Sequence, residues 1–350
     1  MKNSVPLDEL TAESALCRVE DGVLSCAACA HGCRLGENGR GICGVRFARG
    51  GKLFAPRGYV SALACDPVEK KPFFHVLPGS GAFSFGMLGC NFTCKFCQNY
   101  SISQARDPNV FRAEAALISA REIAAAAAKS GAKLLVSTYN EPLITAEWAV
   151  EIFKAAGPGY VCAYVSNGYA TPEAVDFVKP YLRAFKVDLK CFRDANYRAM
   201  TGGGLQPVLD TIALLHKQGI WTEVVTLLVP GFNDDPQELR DMARFLKSVS
   251  PQLPWHITAF RPEYKLLDRQ STQADKIFKA VEIGRKEGLN FVYAGNLRGH
   301  DFENTLCPNC GKTVVERRGF ALKNLSLDIA ADGKACCKYC KTNIPGIWRV

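Results

Sequence analysis

Hydrophobic and polar positions alternate in a regular order from residue 83 onwards, with short apolar runs separated by amphipathic stretches. A short apolar run that is bounded by polar or glycine residues is typical of a strand buried in a sheet. We predict strands over 83–88, 134–139, 160–165, 185–189, 223–229 and 256–260, with a further apolar run over 291–294. Strands that alternate with helices in this way indicate parallel βαβ units.

The stretches between these strands carry the start and stop signals of helices. Ser119 and Glu122 form a capping box before an alanine-rich run, and Gly131 follows that run. Thr171 and Asp235 each precede a proline, which is favoured in the first turn of a helix. About six βαβ units predict an α/β fold with a barrel or partial barrel, in which functional residues sit at the carboxyl ends of the strands.

Polar side chains gather where several predicted strands end. They are Asn140 and Glu141, Ser166 and Asn167, Asp188 and Lys190, and His256 on the sixth strand. Taken singly, the asparagines could be ordinary turn residues, and Asp188 with Lys190 could be a local ion pair. Their common position at strand ends predicts a shared site.

A cysteine-rich loop, GCNFTCKFCQNY, directly follows the first predicted strand. Its Cys90, Cys94 and Cys97 can supply three thiolates to a [4Fe–4S] cluster, which leaves one iron open to a substrate. The alternatives are a three-cysteine zinc site or thiols that are merely buried. Structural zinc normally takes four ligands, so the compact triplet favours the iron–sulfur cluster.

Two further cysteine groups flank the predicted barrel. Cys26, Cys29, Cys33 and Cys43 lie among glycines that permit tight turns. Zinc is the favoured metal for this group, although a second iron–sulfur cluster uses the same ligands and spacing cannot separate the two. The other group consists of two C-x2-C pairs, which predict a zinc ribbon. Its members are Cys307, Cys310, Cys337 and Cys340.

These features divide the 350 residues into an N-terminal four-cysteine region with an irregular connector over 1–82, a barrel over 83–300 and a zinc ribbon over 301–350. The sixteen cysteines cluster in short units, which indicates metals in a reducing compartment. No signal peptide and no apolar run long enough for a bilayer are present, so we expect a cytoplasmic protein without a membrane partner. The net charge of +9 identifies no partner.

The motifs GCNFTCKFCQNY, TYNEP, VSNGY and KVDLKCF, together with both cysteine groups, resemble the radical SAM enzymes that are similar to pyruvate formate-lyase activating enzymes. Within them the chain is most similar to the AmmeMemoRadiSam system radical SAM enzyme, and the resemblance covers nearly the whole chain. It implies a partial (β/α)6 TIM-like barrel with small cysteine-rich appendages. It also implies a [4Fe–4S] cluster and S-adenosylmethionine (SAM) as cofactors.

The resemblance implies a role for each polar strand end. Asn140 and Glu141 would meet the SAM amino group, while Ser166 and Asn167 would reach its ribose or carboxylate. Asp188 and Lys190 would bind the methionine end, and His256 would lie at the ribose side. TYNEP lacks the double glycine of the family's usual motif, which leaves open which backbone groups contact SAM.

The implied activity is reductive cleavage of SAM to a 5′-deoxyadenosyl radical, which abstracts hydrogen from a target. An electron donor such as flavodoxin or ferredoxin is implied. The target is either a glycine of a partner protein, as for activating enzymes, or a small molecule modified together with Memo-like and AMMECR-like proteins. Alternatives of another class are RNA modification, weakened by the lack of a basic, aromatic-studded patch, and a zinc-ribbon adaptor with a degenerate barrel.

Overall fold

A computed structural model describes residues 6–105, 114–297 and 299–350 of the chain. The N-terminal part holds seven short strands, of which six form two three-stranded antiparallel sheets and the seventh pairs with a strand later in the chain. These strands are β1 (Thr11–Glu13), β2 (Cys17–Glu20), β3 (Val23–Cys26), β4 (Arg34–Leu35), β5 (Phe47–Arg49), β6 (Lys52–Pro56) and β7 (Tyr59–Val60). The expectation of an irregular connector after residue 50 is therefore wrong for the segment that holds β6 and β7.

An eight-stranded sheet forms the centre of the molecule. Its strands are β8 (Ala62–Pro67), β9 (Gly81–Gly86), β11 (Leu134–Ser137), β12 (Val161–Ser166), β13 (Ala184–Asp188), β14 (Trp221–Leu228), β15 (Trp255–Ala259) and β16 (Val292–Gly295). Strands β9 and β11 to β16 are parallel and lie side by side in chain order. Strand β8 adds an antiparallel edge to β9. Strand β10 (Ala116–Leu117) pairs with β7 instead.

Each parallel strand overlaps one of the seven apolar runs of the sequence, and the burial of these strands explains the agreement. In β11 all four residues are buried, as expected for a strand that is covered on both faces. Strand β8 is only half-buried, with inward and outward residues in alternation. The sequence analysis did not predict β8, because the prolines around it indicated an irregular segment and hid the alternation of its side chains.

Helices connect the strands of the sheet. They are α1 (Tyr100–Ser103), α2 (Ala120–Ser130), α3 (Ala146–Ala156), α4 (Pro172–Val178), α5 (Asp194–Thr201), α6 (Gln206–Lys217), α7 (Pro236–Val249) and α8 (Ala274–Lys286). The predicted capping box of Ser119 and Glu122 is present, and Gly131 ends α2 in the left-handed conformation. No helix within the described residues is long and apolar enough to cross a membrane.

The C-terminal region forms a small unit with its own core. Its strands are β17 (Thr305–Leu306), β18 (Thr313–Arg318), β19 (Ala321–Leu325), β20 (Leu327–Ile329) and β21 (Ala335–Cys337). Its buried side chains, among them Val315, Ile344 and Trp348, pack against Phe74, between β8 and β9, and against Tyr293 of β16. The N-terminal strands, by contrast, share the main core with the barrel.

Candidate active site

A cavity of about 890 Å³ opens along the inner face of the central sheet. All of the residues predicted from the cysteine loop and the strand ends line it: Cys90, Cys94, Cys97, Asn140, Glu141, Ser166, Asn167, Asp188, Lys190 and His256. The fold therefore brings together residues that are far apart in sequence. The C-terminal unit adds Glu303, Gly319 and Phe320 to the cavity wall.

The loop after β9 presents its three thiols to this cavity. The backbone N–H of Phe92 donates to Cys90 Sγ at 3.4 Å, and Cys97 Sγ lies 3.1 Å from Ser103 Oγ. Burial raises the pKa of Cys94 to about 12, although nearby Lys190 opposes the rise. Three thiols that share one cavity can ionise when a bound metal supplies positive charge, so their placement fits a metal cluster.

Glu141 ties the loops after β11 and β12 together. Its Oε1 accepts from Ser166 Oγ at 2.7 Å and from Leu143 N at 3.0 Å, and its Oε2 accepts from Asn167 N at 2.7 Å. Burial raises the pKa of Glu141 to about 7, against the opposing effect of these hydrogen bonds. The carboxylate thus both faces the cavity and holds the neighbouring loop in place.

Two asparagines extend this hydrogen-bond network. Asn167 Nδ2 donates to Asn91 Oδ1 at 2.7 Å, and the backbone N–H of Met87 donates to Asn140 Oδ1 at 3.1 Å. Asn140 Nδ2 is buried at the cavity without a hydrogen-bond partner. An unsatisfied buried donor is costly, so Asn140 is poised to bind a ligand acceptor. Asn91 was not singled out from the sequence.

A chain of three charges runs along β13 and beyond it. Lys186 Nζ lies 2.5 Å from Asp188 Oδ1, and Lys190 Nζ lies 2.6 Å from Asp188 Oδ2. Burial opposes ionisation of Asp188, but the two lysines outweigh it and lower its pKa to about 2. Two cations share one anion, which leaves a net positive charge at the cavity. Lys186 was not among the predicted site residues, although side chains two positions apart on a strand share a face.

His256 lies on β15, towards the edge of the sheet opposite the strand that precedes the cysteine loop. It is the second residue of β15 and pairs in register with Val225 and Tyr293. His256 stands near the start of its strand, as the sequence indicated, but it is level with Asp188 across the sheet because both pair with Val225, and it reaches the cavity. Its Nε2 lies 2.6 Å from Oε2 of Glu223, a fully buried residue that the sequence did not reveal as important.

The four C-terminal cysteines form a compact cage. Cys307 Sγ lies 3.5 Å from Cys340 Sγ, and Cys310 Sγ lies 3.8 Å from Cys337 Sγ. All four sulfur atoms lie within 4.8 Å of one another. Sulfur atoms around a tetrahedral zinc ion, each about 2.3 Å from the metal, stand about 3.8 Å apart. The cage is therefore of the right size for one zinc ion.

The N-terminal cysteines meet on the outer side of the cysteine loop. Cys26 ends β3, Cys33 directly precedes β4, and Cys43 lies in the turn before β5. Cys26, Cys29 and Cys43 are buried and Cys33 is partly exposed. They are brought together beside residues 89–91 of the loop that carries Cys90, so both cysteine groups belong to one region of the molecule.

A largely parallel α/β sheet with a cysteine loop and a charged cavity is typical of enzymes that bind a cofactor. Residues 86–246 match the family described as the Radical SAM superfamily. The chain therefore contains a radical SAM domain and is an enzyme with radical chemistry. Membership of this superfamily implies a [4Fe–4S] cluster and SAM.

Three relatives are similar to this chain in sequence, and two of them are named as activating enzymes. An uncharacterised protein of Methanocaldococcus jannaschii is 34% identical over 93% of this chain and 96% of its own length. The isethionate sulfite-lyase activating enzyme of Nitratidesulfovibrio vulgaris is 27% identical over 46% of this chain and 54% of its own. The pyruvate formate-lyase-activating enzyme of Clostridium pasteurianum is 22% identical over 54% of this chain and 83% of its own.

Proposed function

We propose that Cys90, Cys94 and Cys97 hold a [4Fe–4S] cluster whose open iron binds SAM. The observation that carries this proposal is that the three thiols share one cavity with the polar strand ends. When bound, the cluster supplies one electron that cleaves the sulfonium of SAM into methionine and a 5′-deoxyadenosyl radical. Phe92 and Phe96 are buried beside the ligating cysteines and would keep water away from the cluster.

The charges of the cavity complement the methionine end of SAM. Lys190, assisted by Lys186, offers a cation to the carboxylate, and Glu141 offers a carboxylate to the ammonium group. Asn140 has an unsatisfied donor that SAM could accept from. Glu141 holds Ser166 and Asn167 in place, where they would contact the ribose or the carboxylate of SAM. Asp188 keeps Lys190 in place. In this proposal His256 contributes at the ribose side, with its ring fixed by Glu223.

We propose a glycine of a partner protein as the hydrogen donor. Two of the relatives are named as activating enzymes, which supports a protein target. Phe320 of the C-terminal unit is half-exposed at the cavity and offers an apolar contact to a bound loop. The 5′-deoxyadenosyl radical would take one hydrogen atom from this glycine, leaving 5′-deoxyadenosine and a glycyl radical.

The second candidate is a small-molecule target that is modified together with Memo-like and AMMECR-like partners. It is favoured by the cavity itself, because about 890 Å³ is within the size range of small-molecule sites. The C-terminal unit also contributes to the cavity wall and would narrow the access of a bulky protein loop. The chemistry at SAM is the same for both candidates, and only the hydrogen donor differs.

The remaining expectations fit this proposal. The C-terminal unit, whose core is completed by Phe74, Phe291 and Tyr293, would begin near residue 300 and hold one zinc ion on the cage of Cys307, Cys310, Cys337 and Cys340. The proposed boundary at residue 82 divides the sheet, because β8 belongs to the central sheet and the N-terminal strands share the main core with the barrel over 83–300. All sixteen cysteines are free, which suits a reducing compartment such as the cytoplasm.

Deuterium labelling tests the proposed target. Reduced, reconstituted protein is incubated anaerobically with SAM and either a partner protein labelled with deuterated glycine or a deuterated metabolite. Deuterium in 5′-deoxyadenosine from the labelled protein supports the activating function, and deuterium from the metabolite supports the second candidate. Methyl transfer without any 5′-deoxyadenosine, in the presence of the true target, would contradict both.

A further inference from the structure

The four thiols of the N-terminal quartet, Cys26, Cys29, Cys33 and Cys43, are not spaced like ligands of a single ion. Among the residues that the structure describes, only the C-terminal cage places three or more ligand atoms within 4.8 Å of one another. No three thiols of the quartet lie that close, and neither do the three thiols of the Cys90 loop. A cubane cluster is larger than one ion and needs its sulfur ligands farther apart.

The surroundings of the quartet also suit a cluster with negative charge. Arg46 is fully buried; its Nη2 pairs with Glu147, while its Nη1 lies 3.9 Å from Cys26 Sγ. The backbone N–H of Ile42 points at Cys33 Sγ at 3.5 Å, as expected for a donor that stabilises a thiolate. A Cβ at Gly41 would lie 3.7 Å from the sulfurs of both Cys33 and Cys43, so a side chain there would fill the space beside the two ligands.

The quartet directly contacts the loop that carries Cys90. A Cβ at Gly89, whose φ is +90°, would lie 2.9 Å from the carbonyl oxygen of Cys43, so the two loops touch through their backbones. Asn91 is next in sequence to Cys90, and its side chain lies beside the thiol of Cys29. Its Nδ2 is buried and has no hydrogen-bond partner, which leaves a donor free for a cluster sulfur. Asn91 therefore lies between the thiols of the quartet and the thiols of the Cys90 loop.

We propose that Cys26, Cys29, Cys33 and Cys43 ligate a second [4Fe–4S] cluster, which passes electrons to the cluster on the Cys90 loop. Cys33 is partly exposed and Cys29 is buried against Asn91, so the quartet spans the distance from the surface to the active site. One electron moves from a reduced one-electron carrier protein to the quartet's cluster, and then to the cluster that binds SAM. The electron role rests on the proposed function, whereas the metal site does not.

Metal analysis tests the site. Iron, sulfide and zinc are measured in the anaerobically reconstituted full chain, in the Cys90→Ala/Cys94→Ala/Cys97→Ala variant and in the Cys29→Ala/Cys43→Ala variant. We expect about eight irons per chain in the unmodified protein and about four in each variant, with about one zinc throughout. The triple variant should keep the EPR signal of a reduced cluster that SAM does not alter.

Two results would overturn the metal site. One is a folded triple variant that binds no iron, whether or not it takes up a second zinc ion. The other, which decides the matter if the triple variant does not fold, is a Cys29→Ala/Cys43→Ala variant with undiminished iron. A triple variant that keeps the quartet's share of iron and still shows a SAM-sensitive signal would instead count against the proposed function.

The electron role has its own test. SAM cleavage by the Cys29→Ala/Cys43→Ala variant is measured with a reduced carrier protein and, separately, with a small-molecule reductant that reaches the Cys90 loop directly. We expect at least a tenfold loss with the carrier protein and little loss with the small reductant, while Cys65→Ala, which changes an exposed thiol, affects neither. An equal loss with both reductants would overturn the relay, because a structural role weakens both reactions alike.

Discussion

Arg317 Nε lies 3.6 Å from Glu69 Oε1, and neither side chain is exposed to solvent. This buried ion pair links β18 of the C-terminal unit to the segment between β8 and β9. Arg317 also donates to the carbonyl oxygens of Glu303, at 3.1 Å, and Phe74. The pair therefore holds the C-terminal unit in the position from which it contributes to the cavity wall.

Replacing Arg317 should destabilise the protein strongly. Arg317→Met leaves Glu69 buried without its cation, which costs about 3–5 kcal/mol. Arg318→Met serves as the control, because Arg318 is the exposed neighbour on the same strand. Chemical denaturation measures both variants. Equal stability of the two would show that the buried pair does not hold the C-terminal unit.

Lys190→Gln should weaken SAM binding. The variant removes a buried cation from the cavity, and a hydrogen bond to a charged group contributes about 1–3 kcal/mol, which is about 5- to 150-fold in Kd. Lys279→Gln is the matched control, because Lys279 is exposed on α8. Equilibrium binding of SAM to the reconstituted protein gives both affinities. An unchanged Kd for Lys190→Gln would remove this residue from the SAM site.

Glu141→Gln tests the carboxylate beside the cysteine loop. The amide retains one acceptor but presents a donor to the N–H of Asn167 or to Ser166, so it loses both the ammonium partner and part of the loop's support. We expect a similar loss of SAM affinity, together with a lower melting temperature. Glu282→Gln, on the exposed side of α8, should change neither. A lower melting temperature with unaltered SAM affinity would leave Glu141 only a positioning role.

The contact of His75 with the C-terminal unit makes stability depend on pH. Its Nδ1 lies 2.7 Å from the Pro345 carbonyl oxygen and its Nε2 lies 2.6 Å from Tyr293 Oη. Burial lowers the pKa of His75 to about 4, although Glu223 opposes the change. In the unfolded chain His75 takes up a proton near pH 6.5, whereas in the folded protein it stays neutral until about pH 4. The folded state is therefore most stable above pH 6.5 and loses stability as the pH falls from 6.5 towards 4.

The loss of stability at low pH that is due to His75 can be measured by comparing the unmodified protein with His75→Asn. Unfolding experiments between pH 7 and pH 4 should show that His75 contributes a loss of about 1.4 kcal/mol per pH unit. His75→Asn should be less stable at pH 7 and should lack this part of the pH dependence. His216→Asn, which changes an exposed histidine of α6, should behave like the unmodified protein. Parallel pH profiles for all three proteins would contradict the assignment.

The order of the central sheet was predictable because its strands are buried on both faces. Such strands leave continuous apolar runs, as in β11, and the runs follow one another in the sheet as they do in the chain. The small N-terminal sheets were not predictable, because two- to five-residue strands such as β4 and β6 are too short to show a period. Their arrangement depends on contacts with the barrel that are distant in sequence.

The residues that would contact the cofactors were easier to predict than the residues that hold them in position. Cys90 and Asp188 belong to compact motifs, and the register of parallel strands explains why they meet. Glu223, by contrast, lies inside an apolar strand, and only the folded structure shows that it holds His256. Asn91 also gave no signal, because its role comes from its contacts with Asn167 and Cys29.

The central claim is that SAM binds at a cluster held by Cys90, Cys94 and Cys97. The most direct measurement is the EPR spectrum of the reduced, reconstituted protein with and without SAM, compared with the variant in which all three cysteines are alanine. We expect a signal that SAM alters in the unmodified protein and no SAM-sensitive signal in the variant, even though the N-terminal cluster remains. A signal in the variant that still shifts with SAM would contradict the account.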